Sequence, residues 1–388
     1  MTTILYSGYH DPDKDKYPFE VDPNFFYLTS CDLPNVTIIK HHKKDYVLVE
    51  IPDISNYDAE HFKMKLKHCF NAEIVDLKDL ISLLKNCKII HTLPNIESHP
   101  NFSSLRRFPM DMSSISSKLL KKRELKFIDE IKSIEQACKY TSGGIKHIMK
   151  RSKPNMSQLE LIGLFKHYIS KFGVQRLSFN PITAHGKYNQ YLHYEAIDRK
   201  VTKGSLVLLD LGCKYDHYCS DISRCFPISG TFTKLQKNLY NVVLRGLKYA
   251  LTLMKPGAHW STITHKVILK LYDECLKIHL VMPLQNKSDK VKVMTTLMPH
   301  LLGHHVGLEN HDCGPITTLK KNMVVAVEPG IYFQTGKGKS LHINASTWQE
   351  YEHIGGIRIE DTIVITSTGY KNLSKVTKEI AGIEKLMR

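Results

Sequence analysis

The chain has 388 residues, 42% hydrophobic and 24% charged, with a formal net charge of +16. That length exceeds one ordinary core and points to two domains, and no apolar run reaches the ~20 residues that cross a bilayer as a helix. The charge is uneven: residues 1–120 hold 14 basic and 16 acidic side chains, the remainder 40 and 22.

At the N-terminus, "MTTILYSGYHDPDKDKYPF" has no basic stretch followed by an apolar one, so no secretion signal is expected. "FFYLTS" (25–30), "NVTIIK" (35–40) and "DYVLVEI" (45–51) read as strands, rich in β-branched and aromatic residues. Helices are expected over about 58–70 and 77–86, and "KIIHTL" (88–93) reads as another strand. Residues 1–120 thus form an α/β layer, and the polar "MDMSSISSKLLKK" (110–122) predicts a linker. Residues 121–388 open with helices over about 123–150 and 156–172, the second capped by Ser157 and stopped at Gly173. "QRLSFNPITAHG", "GSLVLLDLG" and "HYCSDISRCF" return to strand, and helices follow over about 232–255 and 260–278. The last hundred residues read as mostly strand, with "MVVAVEPGIYF" (323–333) and "GGIRIEDTIVIT" (355–366). Nine cysteines form no framework, and Cys213, Cys219 and Cys225 recur every six residues rather than as a zinc-binding pair. Reduced, buried thiols in a cytoplasmic protein are expected. The lysines are dispersed and carry no nucleic-acid motif, so the basic part reads as solvated surface rather than a nucleic-acid site.

Two carboxylates need a partner. Asp210 lies in the apolar run "LVLLDLG", and Asp221 lies in the strand that follows. Read as a hairpin centred between Tyr215 and Asp216, the two strands set Asp210 directly opposite Asp221. Opposed Cβ atoms stand about 4.5–5.5 Å apart. Two bare carboxylates that close repel each other, and a cation between them reverses the cost. Two divalent ions about 3.5–4 Å apart fit such a pair. Asp216 only decorates the turn. Glu328 ends the apolar "VVAVEPG" and Glu360 lies inside "GIRIEDTIVI", so both raise the same question as Asp210. "PHLLGHHVGLENHD" adds His300, His304, His305 and His311, of which at least one is expected to be a ligand.

Asp210 and Asp221 eleven apart, His304 within His-x3-His-x6-His, Glu328 in "EPG" and Glu360 after "RI" stand in an order that resembles the pita-bread metallopeptidase family. That family contains Xaa-Pro dipeptidases (prolidases), aminopeptidases P, methionine aminopeptidases and creatinases. The resemblance covers roughly 123–388 and, more loosely, the first part. "FNPITAHGKYNQYLHY" also resembles the family segment that ends in a substrate-side histidine, here His193.

The resemblance implies an α+β fold: an N-terminal α/β domain (1–120) that covers the active-site mouth, then a C-terminal pita-bread catalytic domain (121–388). It implies that Asp210 chelates one metal ion, that His304 and Glu328 chelate another, and that Asp221 and Glu360 bridge. Four carboxylates and one imidazole favour a hard ion, Mn2+ before Zn2+, Co2+ or Fe2+. A water activated between the ions attacks the scissile carbonyl, and Glu328 takes its proton. His193, His300 and His311 orient the substrate or pass protons, and Arg358 steadies a carboxylate ligand. Short proline-containing peptides are the implied substrates and a homodimer the implied assembly. The long segment between Glu328 and Arg358 points to the Xaa-Pro dipeptidase branch, with aminopeptidase P as the alternative and a non-catalytic peptide-binding relative as a third reading. One departure stands out. Prolidases commonly place an arginine for the dipeptide carboxylate in the loop that here reads "CGPITTLKKNM", with only Lys320 and Lys321. No role follows for His185 or His305.

Overall fold

The computed structural model describes residues 2–10, 19–42, 44–49, 59–70 and 72–388. The chain divides into two compact units, Met1–Lys122 and Arg123–Arg388.

The first unit is built on one mixed sheet. Its elements are β1 (Thr2–Tyr6), α1 (Pro23–Thr29), β2 (Val36–His41), β3 (Lys44–Val49), α2 (Ala59–Cys69), β4 (Glu73–Ile74), α3 (Leu77–Leu84), β5 (Ile90–His91), α4 (Phe102–Leu105) and β6 (Met110–Asp111). The strand order is β4-β3-β2-β1-β5-β6, antiparallel within β1–β2–β3 and parallel at the other pairings. Alternation along the strands separates two cores. Leu5, Val36, Ile38 and Val47 pack with Phe25 on one face, and Ile4, Tyr6, Ile39 and Leu48 pack with Leu80 and Leu84 on the other.

Two expectations are corrected here. "FFYLTS" is helix α1, not strand. The Asp22 side chain accepts hydrogen bonds from the backbone N–H of Asn24 and Phe25, and Pro23 fills the first helical turn. An Asp-Pro start outweighs the β-preference of the aromatics that follow. The expected linker at 110–122 is strand β6 followed by helix α5 (Ser114–Arg123), whose start is satisfied by Asp111 Oδ1 accepting from Ser113 and Ser114 N–H. Residues 50, 51 and 58 of the expected strand 45–51 and helix 58–70 lie outside the described residues.

The second unit opens with α6 (Ile128–Arg151) and α7 (Gln158–Ser170), the latter capped by Ser157 Oγ accepting from Glu160 N–H. Strands β7 (Ile182–His185), β8 (Leu206–Leu211), β9 (Lys214–Tyr215), β10 (Tyr218–Cys219) and β11 (Ile222–Pro227) follow. Then come α8 (Lys234–Thr252), α9 (Trp260–Lys277), α10 (Lys287–Leu297), β12 (Val324–Val327), β13 (Gly330–Tyr332), α11 (Ala345–Tyr351), β14 (Gly356–Arg358), β15 (Asp361–Ile365), β16 (Tyr370–Asn372) and α12 (Ile380–Leu386). Two three-stranded antiparallel sheets carry the interior, β11-β8-β7 and β12-β15-β16. The last hundred residues therefore hold three helices among their strands, against the expectation of mostly strand. Helix α10 escapes a pattern reading because "KSDKVKVMTTL" is polar and partly β-branched. It forms because Asn286 caps it and Val293, Met294 and Leu297 are buried.

All nine cysteines are free. Cys213, Cys219 and Cys225 donate separately to the carbonyls of Ala137, Leu308 and Arg358, and burial pushes their thiols up to about 11, 12 and 12. No helix among the described residues is long and apolar enough to cross a membrane.

The packing of α8 on α9 contains a buried carboxylate. Glu274 accepts from Arg245, Lys270 and Lys277 at 2.7 Å each, with its side chain only 1% exposed. Burial alone raises its carboxyl, but the three cations outweigh that and hold it at about 2. A depressed carboxylate contributes stability above its unfolded value of about 4.3 and loses it as pH falls toward the folded value. Acid unfolding followed by circular dichroism between about pH 5 and pH 2 is therefore expected to be shallower for Glu274→Gln than for the wild type.

Candidate metal centre

The first two carboxylates are set by the turn between β9 and β10. Asp216 and His217 form it, and both have positive φ, 46° and 68°. Two successive positive φ values match the right-handed twist of a two-residue hairpin. The turn lies one residue later than the sequence reading placed it, so the register shifts by two. Tyr218 pairs with Tyr215, and Asp210 faces Ser223 rather than Asp221. Asp221 becomes the diagonal neighbour of Asp210 on the same face, where Cβ atoms stand about 7–8 Å apart. Between the two strands, Gly212 admits the other backbone closely: a Cβ there would meet Ser220 O at 2.0 Å.

The remaining groups arrive on the second sheet. Residues 302–306 run beside β12, with Glu328 N–H donating to Leu302 O, Ala326 N–H to His304 O and Val306 N–H to Val324 O. Gly303 makes this approach possible, since a Cβ there would meet Ala326 O at 1.9 Å. Glu328 follows β12 and Glu360 stands between β14 and β15. The Glu360 N–H donates to Ser223 O at 3.1 Å and so ties the two sheets together.

Asp221, His304 and Glu360 offer ligand atoms that all lie within 4.8 Å of one another. His304 Nε2 is 3.4 Å from Asp221 Oδ2 and 3.7 Å from Glu328 Oε1. His304 Nδ1 lies 3.0 Å from His305 O. A carbonyl only accepts, so Nδ1 carries a proton and Nε2 is the nitrogen that faces the carboxylates. Asp210 completes the group, its Oδ2 accepting from Arg358 Nη2 at 2.8 Å. Arg358 Nε also donates to Ser223 Oγ, which donates to Glu360 Oε2, and Nη1 donates to Tyr332 OH. Burial first, then Asp210 and Glu328, pushes the Asp221 carboxyl well above the usual range. Burial and the same neighbours, Asp221 foremost, do likewise to Glu360. Burial raises Glu328 to about 7, against the pull of His304 and Arg358. Oδ1 of Asp210 and Oδ1 of Asp221 are buried with no hydrogen-bond partner among the described residues.

The histidines divide. His300 Nδ1 donates to Leu301 O at 2.8 Å and stands 3.9 Å from Glu328 Oε2, its ring edge-on to Tyr332. Burial lowers it to about 4. The His311 ring lies 4.2 Å from that of His304. His193 is exposed on the loop after β7, close enough for its charge to be felt by both His300 and His311. His185 sits apart, its Nδ1 3.1 Å from Gln158 Nε2, and is a core histidine. His305 is 1% exposed, lowered to about 4 by burial and then by Lys126.

Residues 132–367 match the sequence profile of metallopeptidase family M24. The chain belongs to family M24. A Fusarium vanettenii protein, "Probable Xaa-Pro aminopeptidase PEPP", is 29% identical over 97% of this chain and 88% of its own length. A Saccharomyces cerevisiae protein, "Uncharacterized peptidase YFR006W", is 28% identical over 98% of this chain and 77% of its own. Among solved structures, "Proline aminopeptidase P II from Yersinia pestis" superposes with a TM-score of 0.86 at 25% identity, covering 100% of this chain and 94% of that one. The α+β, pita-bread expectation therefore holds.

M24 enzymes use divalent metal ions, and the residues here fit such ions. Asp221 and Glu360, whose carboxyls burial and the neighbouring carboxylates push up, two buried carboxylate oxygens without partners among the described residues and an imidazole nitrogen turned toward them form a costly arrangement that cations relieve. Sequence reasoning missed Ser223 and Tyr332, which hold Arg358. A hairpin centred one residue later would have found Ser223, because it then faces Asp210.

Proposed function

We propose that the chain is a dinuclear-metal-dependent Xaa-Pro aminopeptidase of the aminopeptidase P type, with Asp210, Asp221, His304, Glu328 and Glu360 as ligands and Mn2+ as the metal. The observation that carries this reading is the convergence of those five groups, with Arg358 on Asp210. When bound, the metal pair supplies a Lewis acid and a water acidic enough to ionise near neutral pH. Glu328, between His304 and His300, receives the proton. Asp221 and Glu360, the most deeply buried of the five, would hold the metal with the other three. Arg358 fixes the Asp210 carboxylate and, through Ser223, the Glu360 one. His193, His300 and His311 orient the peptide and handle protons around its scissile amide.

The aminopeptidase replaces the dipeptidase as the main reading for two reasons. The long segment after Glu328 holds helix α11 and the core aromatics Phe333, Trp348 and Tyr351, which pack on one another, so its length serves packing and does not mark a branch. The lysines offered for a dipeptide carboxylate are poorly sited. Lys320 precedes β12 whereas Glu328 follows it, the strand between them spans about 10 Å, and the Lys320 ammonium is paired with Glu124 at 3.3 Å. The Fusarium vanettenii and Yersinia pestis proteins named above are also described as aminopeptidases, not dipeptidases.

The test is hydrolysis by metal-free protein reloaded with Mn2+ and offered Ala-Pro beside an Xaa-Pro-Xaa tripeptide. Preference for the tripeptide is expected, and cleavage of the dipeptide alone returns the dipeptidase. His193→Ala is expected to keep its full metal content by elemental analysis while kcat falls about 100-fold, the range of a lost proton-handling group. Loss of metal in that variant instead means the ligand set is misassigned.

A further inference from the structure

Behind the histidines lies a buried charge cluster for which the reaction has no direct use. Arg123, Lys126 and Asp312 have side chains 2%, 1% and 1% exposed. Arg123 Nη2 donates to Asp312 Oδ1 and, at 2.7 Å, to Glu309 Oε2. Lys126 Nζ donates to Asp312 Oδ2 at 2.8 Å and to Arg123 O at 2.6 Å. The Asp312 carboxylate also accepts Glu309 N–H at 3.2 Å and the Cys313 thiol at 2.9 Å, and it packs so close to Gly307 that a Cβ there would lie 2.4 Å from it. Buried ion clusters of this kind add little stability over a well-packed apolar core. What this one does is hold one residue, in one place, from every side.

That residue touches the ligand His304 through a backbone oxygen. The Asp312 N–H donates to His305 O at 3.1 Å, and the same oxygen accepts His304 Nδ1–H at 3.0 Å. A ligand histidine depends on the group that takes its second N–H, which fixes tautomer and ring direction, and loss of such a partner costs about 10–100-fold in metal affinity. We propose that Arg123 and Lys126 act as positioning residues that set the affinity of the site for its metal, by clamping Asp312 and so holding the His305 carbonyl against His304 Nδ1. This inference rests on the metal-centre reading above.

The experiment uses the full chain stripped of metal. Wild type, Lys126→Met and Arg123→Met are titrated with Mn2+ by calorimetry, and the imidazole nitrogens are followed by 15N NMR in the metal-free state. Each variant leaves the other cation on Asp312, so one serves if the other does not fold. Glu274→Gln, a change in a buried charge group between α8 and α9, is the control for general destabilisation. The expected result is Mn2+ binding weakened about 10–100-fold in both clamp variants, unchanged in the control, with the His304 Nδ1–H tautomer of the wild type giving way to a mixture. Affinity within twofold of wild type in folded clamp variants, or equal weakening in the control, overturns the proposal. If the wild type takes up no Mn2+, the metal-centre reading fails on its own, and an unchanged His304 tautomer in the variants then removes the clamp as well.

Discussion

Glu360→Gln is expected to abolish peptide hydrolysis, by at least about 1,000-fold or roughly 4 kcal/mol of transition-state stabilisation, while raising the melting temperature of the metal-free protein. Both effects have one source. Glu360 is 1% exposed and shares its surroundings with Asp210, Asp221 and Glu328. Without cations that group is self-repelling. The amide keeps an oxygen for the Ser223 hydroxyl and removes one of the repelling carboxylates, a gain of about 1 kcal/mol, or about 2–4 °C in a unit of this size. The order then inverts on adding Mn2+. A metal that binds only the folded state stabilises by mass action, so the wild type should climb and the variant stay where it was. Thermal unfolding at stepped Mn2+ concentrations reads both halves, and a variant that still gains stability with Mn2+ would falsify the proposed ligand role of Glu360.

The second large effect is expected at Arg224, which no sequence pattern singles out. It lies on β11 with its side chain fully buried. Its guanidinium donates to the carbonyls of Ser223, Glu360, Val376 and Thr377 and to Asp361 Oδ1, while Lys378 and Asn372 hold Asp361 Oδ2. Arg224 thus binds the backbone of Glu360 from the face opposite the carboxylates. Arg224→Ala leaves Asp361 with one cation and takes a donor from four carbonyls, of which Ser223 O keeps the Glu360 N–H. Breaking a buried pair costs about 3–5 kcal/mol, a fall of about 10 °C. Lysine cannot reproduce five donors in a rigid fork, so Arg224→Lys should recover less than half of the loss. Urea unfolding midpoints measure this directly, and an unchanged midpoint in Arg224→Ala would show that the network is dispensable.

The arrangement of the site was readable where burial and charge conflict in the sequence itself. Asp210 interrupts an apolar strand, Glu328 ends an apolar run and Glu360 lies inside one, and each is visible without a structure because a lone carboxylate there is untenable. The supporting residues were not readable for the opposite reason. Ser223, Arg224 and Tyr332 sit in strands whose composition is unremarkable, and only the pairing of distant strands gives them partners. The hairpin turn was misplaced by a single residue, since Tyr215–Asp216 and Asp216–His217 are equally plausible turns until the backbone shows positive φ at the second pair. In the first unit, "FFYLTS" was misread because side-chain preference was weighed and the Asp22-Pro23 start was not. Helix α10 was overlooked because its stability comes from tertiary burial of three residues rather than from an amphipathic pattern.

The tie between the two sheets has a consequence for how the protein comes into being. Ser223 and Glu360 meet across 137 residues of sequence, so the half of the centre carried by the first hairpin leaves the ribosome long before the half carried by β14 and β15. At ordinary elongation rates of about 5–20 residues per second, that interval is on the order of ten seconds. Throughout it, Asp210 and Asp221 are without Glu360, and for its first part without His304 as well. The full ligand set therefore exists only once β14 and β15 have been made, and it cannot guide the folding of the segments made before them.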